Sequence, residues 1–426
     1  MNTKLKFCIL CEGTYGDILP YVALGLKLRE KGHAVRIATN KGGKALCQKY
    51  DLEFVSIDRT PTLAAVIKRF LKPSYPISTL LRILLPGVRF FKEYIRHHLE
   101  GATEAVANSD VLIYNPHAYA GPHLAEYYQI PSFCMLLQPE LKTKKYSSYK
   151  APLPKFLGNF GNWLGHLLSQ QMLWQIIRPQ VNQWRKKQLH LRKMHFLGPY
   201  YDRASRNTPH LIACSPYLIP AAHDWKSSVH VTSFSRIPKN EAWTPSRELQ
   251  SFLNNGPPPI YVSFGSVLER YPQEFIELLI KVLKKKKIRT LLQGPLPQIS
   301  CMSIPDYMLI IDYTPHDWLF PHVKALLYHG GIGTTAEGLY AGKPLLAMPS
   351  ILDQFFWAKK LPEWGVGPLP LSIKTFDEKL IESGLNQLLT TPSYQEKASQ
   401  IKAHLIKEEE GTEVAYRVIH ETLIPL

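Results

Sequence analysis

The beginning of the chain alternates between apolar runs and a segment in which apolar and charged positions are mixed. Residues 5–11 form an apolar run, followed by the turn EGTYGD and then by YVALGLKLREKGH, in which leucine and valine are interspersed with lysine and arginine. A second apolar run, AVRIAT, follows Gly32. This order predicts a strand, a turn, a helix that Pro20 opens, and a second strand. It is the opening unit of a parallel doubly wound sheet.

The same alternation continues to the end of the chain. DVLIYN, PSFCMLL and VHVTSF predict further strands of a first α/β domain, and PPPIYVSFGSV starts a second domain in the same way. We expect an N-terminal domain at 1–232, a linker at 233–255, a C-terminal domain at 256–405 and a final helix at 406–426, for which a return to the N-terminal domain is one arrangement. A length of 426 residues suits two domains.

Composition narrows the class of protein. Hydrophobic residues make up 45% and charged residues 20% of the chain, as in a folded globular protein. The apolar stretches are shorter than the roughly 18 residues of a membrane-spanning helix, and scattered cysteines favour a reducing cytoplasm. The net charge of +17 suits nucleic acid or an anionic membrane surface as a partner, and the alternative is a soluble protein that is simply basic. Nucleic acid is disfavoured because the basic residues form no recognition motif.

The most informative segment is HGGIGTTAEGLYAGKPLLAMPSILDQ, residues 329–354. Its first glycines allow a sharp turn after the apolar strand KALLY, and a short helix is expected to start at Thr334. The unpaired N–H groups and positive dipole end of such a helix suit a diphosphate. His329 could donate to a phosphate oxygen, or it could simply be a satisfied histidine at a strand end. No Asp-x-Asp triplet occurs, so we expect no metal site and no cofactor.

This segment resembles the C-terminal donor signature of the GT-B fold, family 1 glycosyltransferases. It is most similar to the branch with sterol glucosyltransferases and bacterial macrolide and glycopeptide glycosyltransferases. PHDWLFPHVKALLYHGG, PPPIYVSFGS and EGTYGDILPYVALGLKL extend the resemblance over both domains. It implies an α/β GT-B fold, with two Rossmann-like doubly wound domains facing each other across a cleft. It also implies inverting, metal-independent transfer of a hexose, commonly glucose, from a UDP-sugar to a hydroxyl of a hydrophobic acceptor.

The resemblance assigns roles around the donor. His329 and the start of the following helix are expected to hold the diphosphate, and Glu337 to accept from the ribose hydroxyls. Asp353 and Gln354 are expected to bond to the sugar hydroxyls. Trp318 is placed near the nucleobase, with a core aromatic as the equal alternative. The residues implied to bind the donor are Ser266, Trp318, His329, Gly331, Gly333, Thr334, Glu337, Asp353 and Gln354.

Asp17, in the GTYGD turn, is the candidate catalytic base. It follows the first strand at the carboxyl edge of the sheet, where doubly wound proteins bind ligands. A helix N-cap is the alternative interpretation. The family motif G-S/T-R-G-D places the proposed base at Asp17, and Tyr15 stands in the usual arginine position, which removes a cation beside the carboxylate. His117 and Asn115, after DVLIYN, are the nearest supporting groups, and His117 is the second catalytic candidate.

Two basic segments concern the acceptor. The first lies between residues 61 and 96, where Glu93 is the single acid, and the second runs from Lys142 to Arg203 and contains three tryptophans. Such segments can rest on anionic lipid headgroups, or they can be helices that pack on their own domain. Together they favour a sterol, lipid or polyketide-like acceptor. The cations of the first segment are Lys68, Arg69, Lys72, Arg82, Arg89, Lys92 and Arg96.

The expected partners are therefore a nucleotide sugar, a hydrophobic acceptor and an anionic membrane at its periphery, without nucleic acid. The expected location is the cytoplasm, including the inner face of a membrane. Two alternatives stay open: a glycosyltransferase that acts on a membrane carrier lipid, and a catalytically inactive nucleotide-sugar-binding protein.

Overall fold

A computed structural model describes residues 4–58, 77–198, 208–238, 243–294 and 303–424, with 77–90 described as backbone alone. The chain divides into two compact units. One comprises Met1–Ile237 with Glu409–Leu426, and the other comprises Pro238–Glu408. Of the first basic segment, Lys68, Arg69 and Lys72 lie outside the described residues, as do the side chains of Arg82 and Arg89.

The first unit is built on a parallel sheet. Its strands in the described residues are β1 (Lys6–Leu10), β2 (Ala34–Thr39), β3 (Glu53–Ser56), β4 (Val111–Tyr114), β5 (Ser132–Leu136), β6 (His210–Ile212) and β7 (Val229–Val231). They pair in the order β3-β2-β1-β4-β5-β6-β7, each parallel to its neighbours. Because β1 and β4 are adjacent, the order reverses between them, and the carboxyl ends of these two strands mark the place where such sheets bind ligands.

The helices of the first unit cover the two faces of this sheet. They are α1 (Tyr15–Glu30), α2 (Lys44–Lys49), α3 (Ile77–Val106), α4 (Gly121–Tyr128), α5 (Gly158–Lys187) and, from the end of the chain, α13 (Gly411–Leu423). Helix α13 packs on α1. Lys31 Nζ lies 2.9 Å from Glu413 Oε1, and a Cβ atom on Gly411 would lie 2.6 Å from the carbonyl oxygen of Phe234, so only glycine permits this approach.

The second unit repeats the plan with fewer strands. The described strands are β8 (Ile260–Ser263), β9 (Thr290–Gln293), β10 (Met308–Ile311), β11 (Ala325–Tyr328) and β12 (Leu345–Ala347). They are parallel, in the order β10-β9-β8-β11-β12. The order reverses between β8 and β11, where Ser263 pairs with Tyr328 at the carboxyl ends.

The helices of the second unit are α6 (Arg247–Asn254), α7 (Gln273–Lys285), α8 (His316–Leu319), α9 (Ile332–Ala341), α10 (Asp353–Glu363), α11 (Glu378–Thr390) and α12 (Pro392–Leu405). Helix α7 buries Phe275, Leu279 and Leu283, which recur at helical spacing, in one core with Ile381 and Leu385 of α11. This core fixes the sheet whose carboxyl edge carries the candidate donor residues.

Helix starts differ from the sequence predictions. Helix α1 starts at Tyr15 and not at Pro20, because Thr14 is its N-cap and Pro20 lies within it. Asp17 is therefore not an N-cap but the third helical residue. Helix α9 starts at Ile332 and not at Thr334, because Gly331 is its N-cap.

Part of the predicted linker 233–255 is helical. The hydroxyl oxygen of Ser246 accepts a hydrogen bond of 3.1 Å from the N–H of Leu249 and caps α6 at Arg247–Asn254. This helix belongs to the second unit. Among the helices of the described residues, none is both long and apolar enough to cross a bilayer.

Candidate functional site

Both units place their candidate residues at the point where the strand order reverses. In the second unit, Ser266 follows β8 and His329 follows β11 directly. In the first unit, Asp17 follows β1 and His117 follows β4. The parallel pairing of these strands brings each pair of loops to one sheet edge.

The ring of His329 occupies a space that two glycines leave open. A Cβ atom on Gly265 would lie 2.8 Å from its Nδ1, and a Cβ atom on Gly331 would lie 2.5 Å from its Nε2. Gly265 (φ +63°) and Gly330 (φ +85°) also adopt backbone conformations that favour glycine. Because the ring touches Gly265, the residue before Ser266, the loops after β8 and β11 meet at this sheet edge.

His329 is electrically neutral, and its Nδ1 has no hydrogen-bond partner among the described residues. Burial lowers the pKa of His329 to about 4, so the ring carries a single N–H proton near neutral pH. Nδ1 is buried and makes no hydrogen bond within the described part of the chain. Buried polar atoms in folded proteins are nearly always paired, so an unpaired one at a sheet edge is a candidate ligand contact.

The start of α9 adds main-chain donors beside this ring. The first N–H groups of a helix have no acceptor within the helix, and no described side chain caps α9. Thr335 anchors the turn, because its hydroxyl donates to the carbonyl of Gly331 at 2.9 Å and contacts the Tyr328 hydroxyl at 2.6 Å. Gly333 is exposed and a Cβ atom there would meet only open space, whereas Thr334 is buried.

Gln354 packs against the same turn. Its Cβ lies 3.6 Å from the position that a Cβ atom on Gly330 would take. Its Oε1 accepts three hydrogen bonds, from the Ser350 N–H at 2.9 Å, the Ser350 hydroxyl at 3.1 Å and the Ile351 N–H at 3.2 Å. Asp353 precedes it at the first position of α10, after Leu352, whose φ of +41° is strained for a non-glycine residue.

Two further residues that the resemblance implies for donor binding lie on α9 and α8. Glu337 is half-buried on α9. Trp318 is also half-buried, and its ring stacks on His322 at 4.6 Å and lies 4.9 Å from that of Trp243. Trp318 is thus part of an aromatic cluster at the surface and not a core residue.

The sequence did not single out His316. Its ring stacks on Phe320 at 4.4 Å, and its Nε2 lies 3.2 Å from the Tyr261 hydroxyl. Burial, with a smaller contribution from His329, lowers the pKa of His316 to about 4. The available signal was the histidine of PHDW just before β11.

In the first unit, Asp17 is held by the turn that precedes it. Its Oδ2 accepts hydrogen bonds from the N–H of Thr14 at 2.7 Å and from the Thr14 hydroxyl at 2.9 Å. A Cβ atom on Gly13 would lie 2.4 Å from the Asp17 Cβ, so this packing requires glycine. The carboxylate is therefore oriented by its own helix start.

His117 stands within a group of charges. Burial and Lys150 lower its pKa, and Glu140, Asp17 and Glu12 oppose them, with the net pKa below the usual value. A neutral His117 is therefore the prevailing form near pH 7. The structure thus brings His117 and Asp17 into one electrostatic environment.

Glu12 and Glu140 are functional candidates that the sequence analysis missed. Glu12 is buried, its Oε1 lies 2.7 Å from His98 Nδ1, and it accepts a hydrogen bond from the Tyr94 hydroxyl. Burial raises the pKa of Glu12, but His98 and Tyr94 outweigh burial and lower it overall. The signal was a charged residue directly at the end of a buried strand.

Glu140 is the second buried carboxylate of this group. Burial raises its pKa, but Lys150, at 2.6 Å, and His117 outweigh that effect and bring the pKa to about 2. Asn115 connects the loops that follow β1 and β4. Its Nδ2 donates to the Glu12 carbonyl at 2.7 Å, and its Oδ1 accepts from the Ala118 N–H at 2.9 Å.

Two family models match the chain. Residues 7–147 match the glycosyltransferase family 28 N-terminal domain, and residues 288–421 match the C-terminal domain of the erythromycin biosynthesis protein CIII-like family. The matched ranges contain the loops after β1, β4 and β11 described above.

Solved structures share the fold. The glycotransferase of kitacinnamycin has a TM-score of 0.70 and 17% identity, over 99% of this chain and 100% of its own. The glycosyltransferase VinC in complex with dTDP has a TM-score of 0.67 and 16% identity, over 98% of this chain and 99% of its own.

Curated relatives are more similar in sequence to this chain than these two solved structures are. A sterol 3-beta-glucosyltransferase of Arabidopsis thaliana is 30% identical over 99% of this chain and 69% of its own length. One from Yarrowia lipolytica is 31% identical over 99% of this chain, which spans only 29% of that relative. With the GT-B architecture, these similarities show that the chain belongs to the family 1 UDP-glycosyltransferases, the family of the sterol glucosyltransferases.

Proposed function

We propose that this enzyme transfers a hexose, with glucose as the first candidate, from a UDP-sugar to a hydroxyl of a sterol or another hydrophobic acceptor. Transfer inverts the anomeric centre and needs no metal ion or other cofactor. The observation that carries the donor half of the proposal is the unpaired Nδ1 of His329 beside the uncapped start of α9.

The donor diphosphate would lie against this turn. A neutral His329 donates its one N–H to a phosphate oxygen, and the main-chain N–H groups at Gly333 and Thr334 add donors aligned with the helix dipole. As the bond between the anomeric carbon and the diphosphate oxygen breaks, the leaving group takes the electron pair, and the same donors stabilise its new charge. Ser266 adds a hydroxyl from the neighbouring loop.

The remaining contacts to the sugar nucleotide follow from the hydrogen-bonding groups that each side chain leaves available. The Oε1 of Gln354 is held by the turn at Ser350, which leaves its NH₂ group to donate to a sugar hydroxyl. Asp353 and Glu337 are acceptors for sugar and ribose hydroxyls, respectively. Trp318 offers a half-exposed aromatic face on which a nucleobase can stack.

Asp17 is the proposed base. Both hydrogen bonds from Thr14 fall on Oδ2, so Oδ1 takes the proton from the acceptor hydroxyl as that oxygen bonds to the anomeric carbon. His117 supports the charge change, because it lies in the field of Asp17, Glu12 and Glu140. Tyr15 replaces the arginine usual in this motif, and its ring is 40% exposed beside the turn.

The hydrophobic acceptor is proposed from the names of the curated relatives and from the apolar and basic segments of the first unit. Acceptance of a membrane carrier lipid instead of a sterol is the alternative within the same chemistry. Comparing the products formed with sterol and with carrier-lipid acceptors separates the two.

Donor binding tests the proposal. UDP-sugars and dTDP-sugars are titrated into wild type and His329→Ala in the presence of EDTA, with the exposed His223→Ala as control. Loss of a hydrogen bond to a charged phosphate costs about 1.5–3 kcal/mol, so affinity should fall about 10-fold to 150-fold in His329→Ala alone.

Wild-type protein that binds none of these nucleotide sugars would contradict the proposal. Binding that appears only after a divalent ion is added would overturn metal independence. Tight binding without transfer to any acceptor would identify the inactive binding protein.

A further inference from the structure

Helix α5 exposes a ridge of apolar side chains that the described residues of its unit leave uncovered. Leu168, Met172 and Ile176 follow one another at intervals of four, so they lie side by side along the helix, and they are 41%, 65% and 41% exposed. Phe196 is also 57% exposed, and it flanks α5, because its carbonyl accepts hydrogen bonds from Trp174 and Gln175 of that helix. The opposite side of α5 faces the core, where Trp174 and Trp184 are buried.

A basic depression continues the same face. Residues seven apart share a helix face, so Met172 leads through Pro179 to Lys186. A cavity of about 460 Å³ lies there, and its basic lining residues are Arg178, Lys186, Lys187 and Lys193. Arg178 also contacts an exposed apolar side chain, since its guanidinium lies 4.7 Å above the ring of Phe196.

These cations have no carboxylate partners among the described residues. The neighbouring Arg185 shows the contrast, because it turns inward and forms an ion pair of 2.6 Å with Glu126. Residues 141–201 contain eleven lysines and arginines and neither aspartate nor glutamate. A position in the last turn of α5 suits Lys186 and Lys187 through the helix dipole, but this does not explain the exposed apolar ridge.

We propose that this face of α5 docks on an anionic phospholipid bilayer, with the apolar ridge among the acyl chains and the basic cavity around headgroup phosphates. An apolar strip next to a cationic site is the pattern of interfacial membrane helices. A second copy of this chain fits less well, since residues 141–201 contain no carboxylate that a copied face could offer to the four cations. The purpose of docking rests on the proposed function, because it delivers the enzyme to the surface where a hydrophobic acceptor is dissolved.

Vesicle flotation with the full chain tests this face. The probes are vesicles of phosphatidylcholine alone and of an equimolar mixture of phosphatidylcholine and phosphatidylglycerol. Wild type should bind the mixed vesicles, release them at high salt, and bind phosphatidylcholine weakly. Lys186→Gln with Lys187→Gln should weaken binding to mixed vesicles about 30-fold, because each lysine near the surface contributes about 1 kcal/mol, or about fivefold. Met172→Glu with Ile176→Glu should weaken it at least as much.

Matched controls come from the second unit. Lys324→Gln with Lys374→Gln removes two exposed lysines, and Leu369→Glu with Ile406→Glu replaces two apolar side chains that are 75% and 62% exposed. Both control pairs should bind mixed vesicles as wild type does. Equal losses of vesicle binding in the control pairs would overturn the docking face, because they would show that binding depends on the net charge of the protein.

Activity assays separate this proposal from the proposed function. Turnover of a detergent-dispersed acceptor should be unchanged in the α5 variants, whereas turnover of the same acceptor in mixed vesicles should fall with binding. Equal loss in both assays would show that the ridge binds the acceptor itself and would overturn the docking face. If wild type transfers sugar but binds neither vesicle type, the docking proposal alone is overturned. If wild type binds vesicles but transfers no sugar, the proposed function alone is overturned.

Discussion

The carboxylate of Asp17 and the backbone of Thr14 are joined by a hydrogen bond of 2.7 Å between Asp17 Oδ2 and the Thr14 N–H. The Thr14 hydroxyl adds a second bond to the same oxygen, at 2.9 Å. One side chain thus closes the start of α1 and presents its other oxygen at the sheet edge. The structural and catalytic interpretations of Asp17 are therefore compatible, and they can be separated by substituting one partner at a time.

Asp17→Asn should preserve the fold and donor binding but lower the rate of transfer by about 100-fold to 10,000-fold, the usual contribution of a general base. The amide still accepts through its oxygen, so the helix start is retained. Single-turnover transfer and calorimetric donor titration measure the two quantities. Transfer at the wild-type rate would exclude Asp17 and move the role to His117.

Thr14→Val is the matched control for Asp17. It removes the hydroxyl bond to Oδ2 and the cap but keeps the N–H bond, so it should cost about 1 kcal/mol of unfolding free energy. Its transfer rate should stay within a few fold of wild type. A loss as large as that of Asp17→Asn would mean that the turn geometry, and not the carboxylate, limits the reaction.

β3 and β6 were not predicted, but the other strands were predictable because parallel strands buried on both faces appear as short continuous apolar runs. DVLIYN and KALLY, for example, contain β4 and β11 at the positions expected. Helix starts were less predictable. They depend on whether a residue such as Thr14 or Gly331 adopts cap geometry, and local sequence does not specify that.

The candidate site was predictable only where its residues are close in sequence. The turn from His329 to Thr334 is contiguous, and its glycines indicate the close packing around the His329 ring that the structure shows. The Glu12 pair with Tyr94 and His98 was missed because these residues lie 82 and more positions apart. The sheet order and α3 bring them together. In the same way, the fold brings together Lys31 and Glu413, which join α1 to α13 and lie 382 positions apart.

Gln354→Glu separates turn formation from sugar binding. Glutamate keeps an oxygen that can accept from Ser350 and Ile351 but has no NH₂ group, so the melting temperature should change little. Loss of the donor to a sugar hydroxyl, with an added negative charge near the diphosphate, should raise KM for the sugar nucleotide about tenfold or more. Gln400→Glu, on the exposed face of α12, is the control and should leave KM unchanged.

Gly333→Ala tests whether a ligand approaches the start of α9. A Cβ atom there meets only open space, so alanine should raise unfolding stability by up to about 1 kcal/mol. The same methyl group would crowd a diphosphate held by the main chain, so donor affinity should fall even though the protein is more stable. Gain of stability with unchanged affinity for every nucleotide sugar would place the diphosphate elsewhere.

Gly265→Ala should behave in the opposite way. Its φ of +63° and the 2.8 Å approach to His329 leave no room for a methyl group, so both stability and donor affinity should fall. Urea unfolding should therefore show higher stability for Gly333→Ala and lower stability for Gly265→Ala, whereas donor titration should show lower affinity for both. Equal stability of Gly265→Ala and wild type would contradict the described packing of His329.

Acid should destabilise the protein through its buried histidines. Burial lowers the pKa of His210, His316 and His329 to about 4 and that of His123 to about 3, against 6.5 for the free side chain. Between these values the unfolded chain binds protons that the folded protein does not, so the unfolding free energy falls as the pH drops from 6.5 towards 4. Each histidine contributes at most about 1.4 kcal/mol per pH unit. Urea titrations across this range should show a shallower slope for His316→Gln than for wild type and for His223→Gln, which changes an exposed side chain. Identical slopes for all three proteins would show that the His316 ring is not buried in the neutral form.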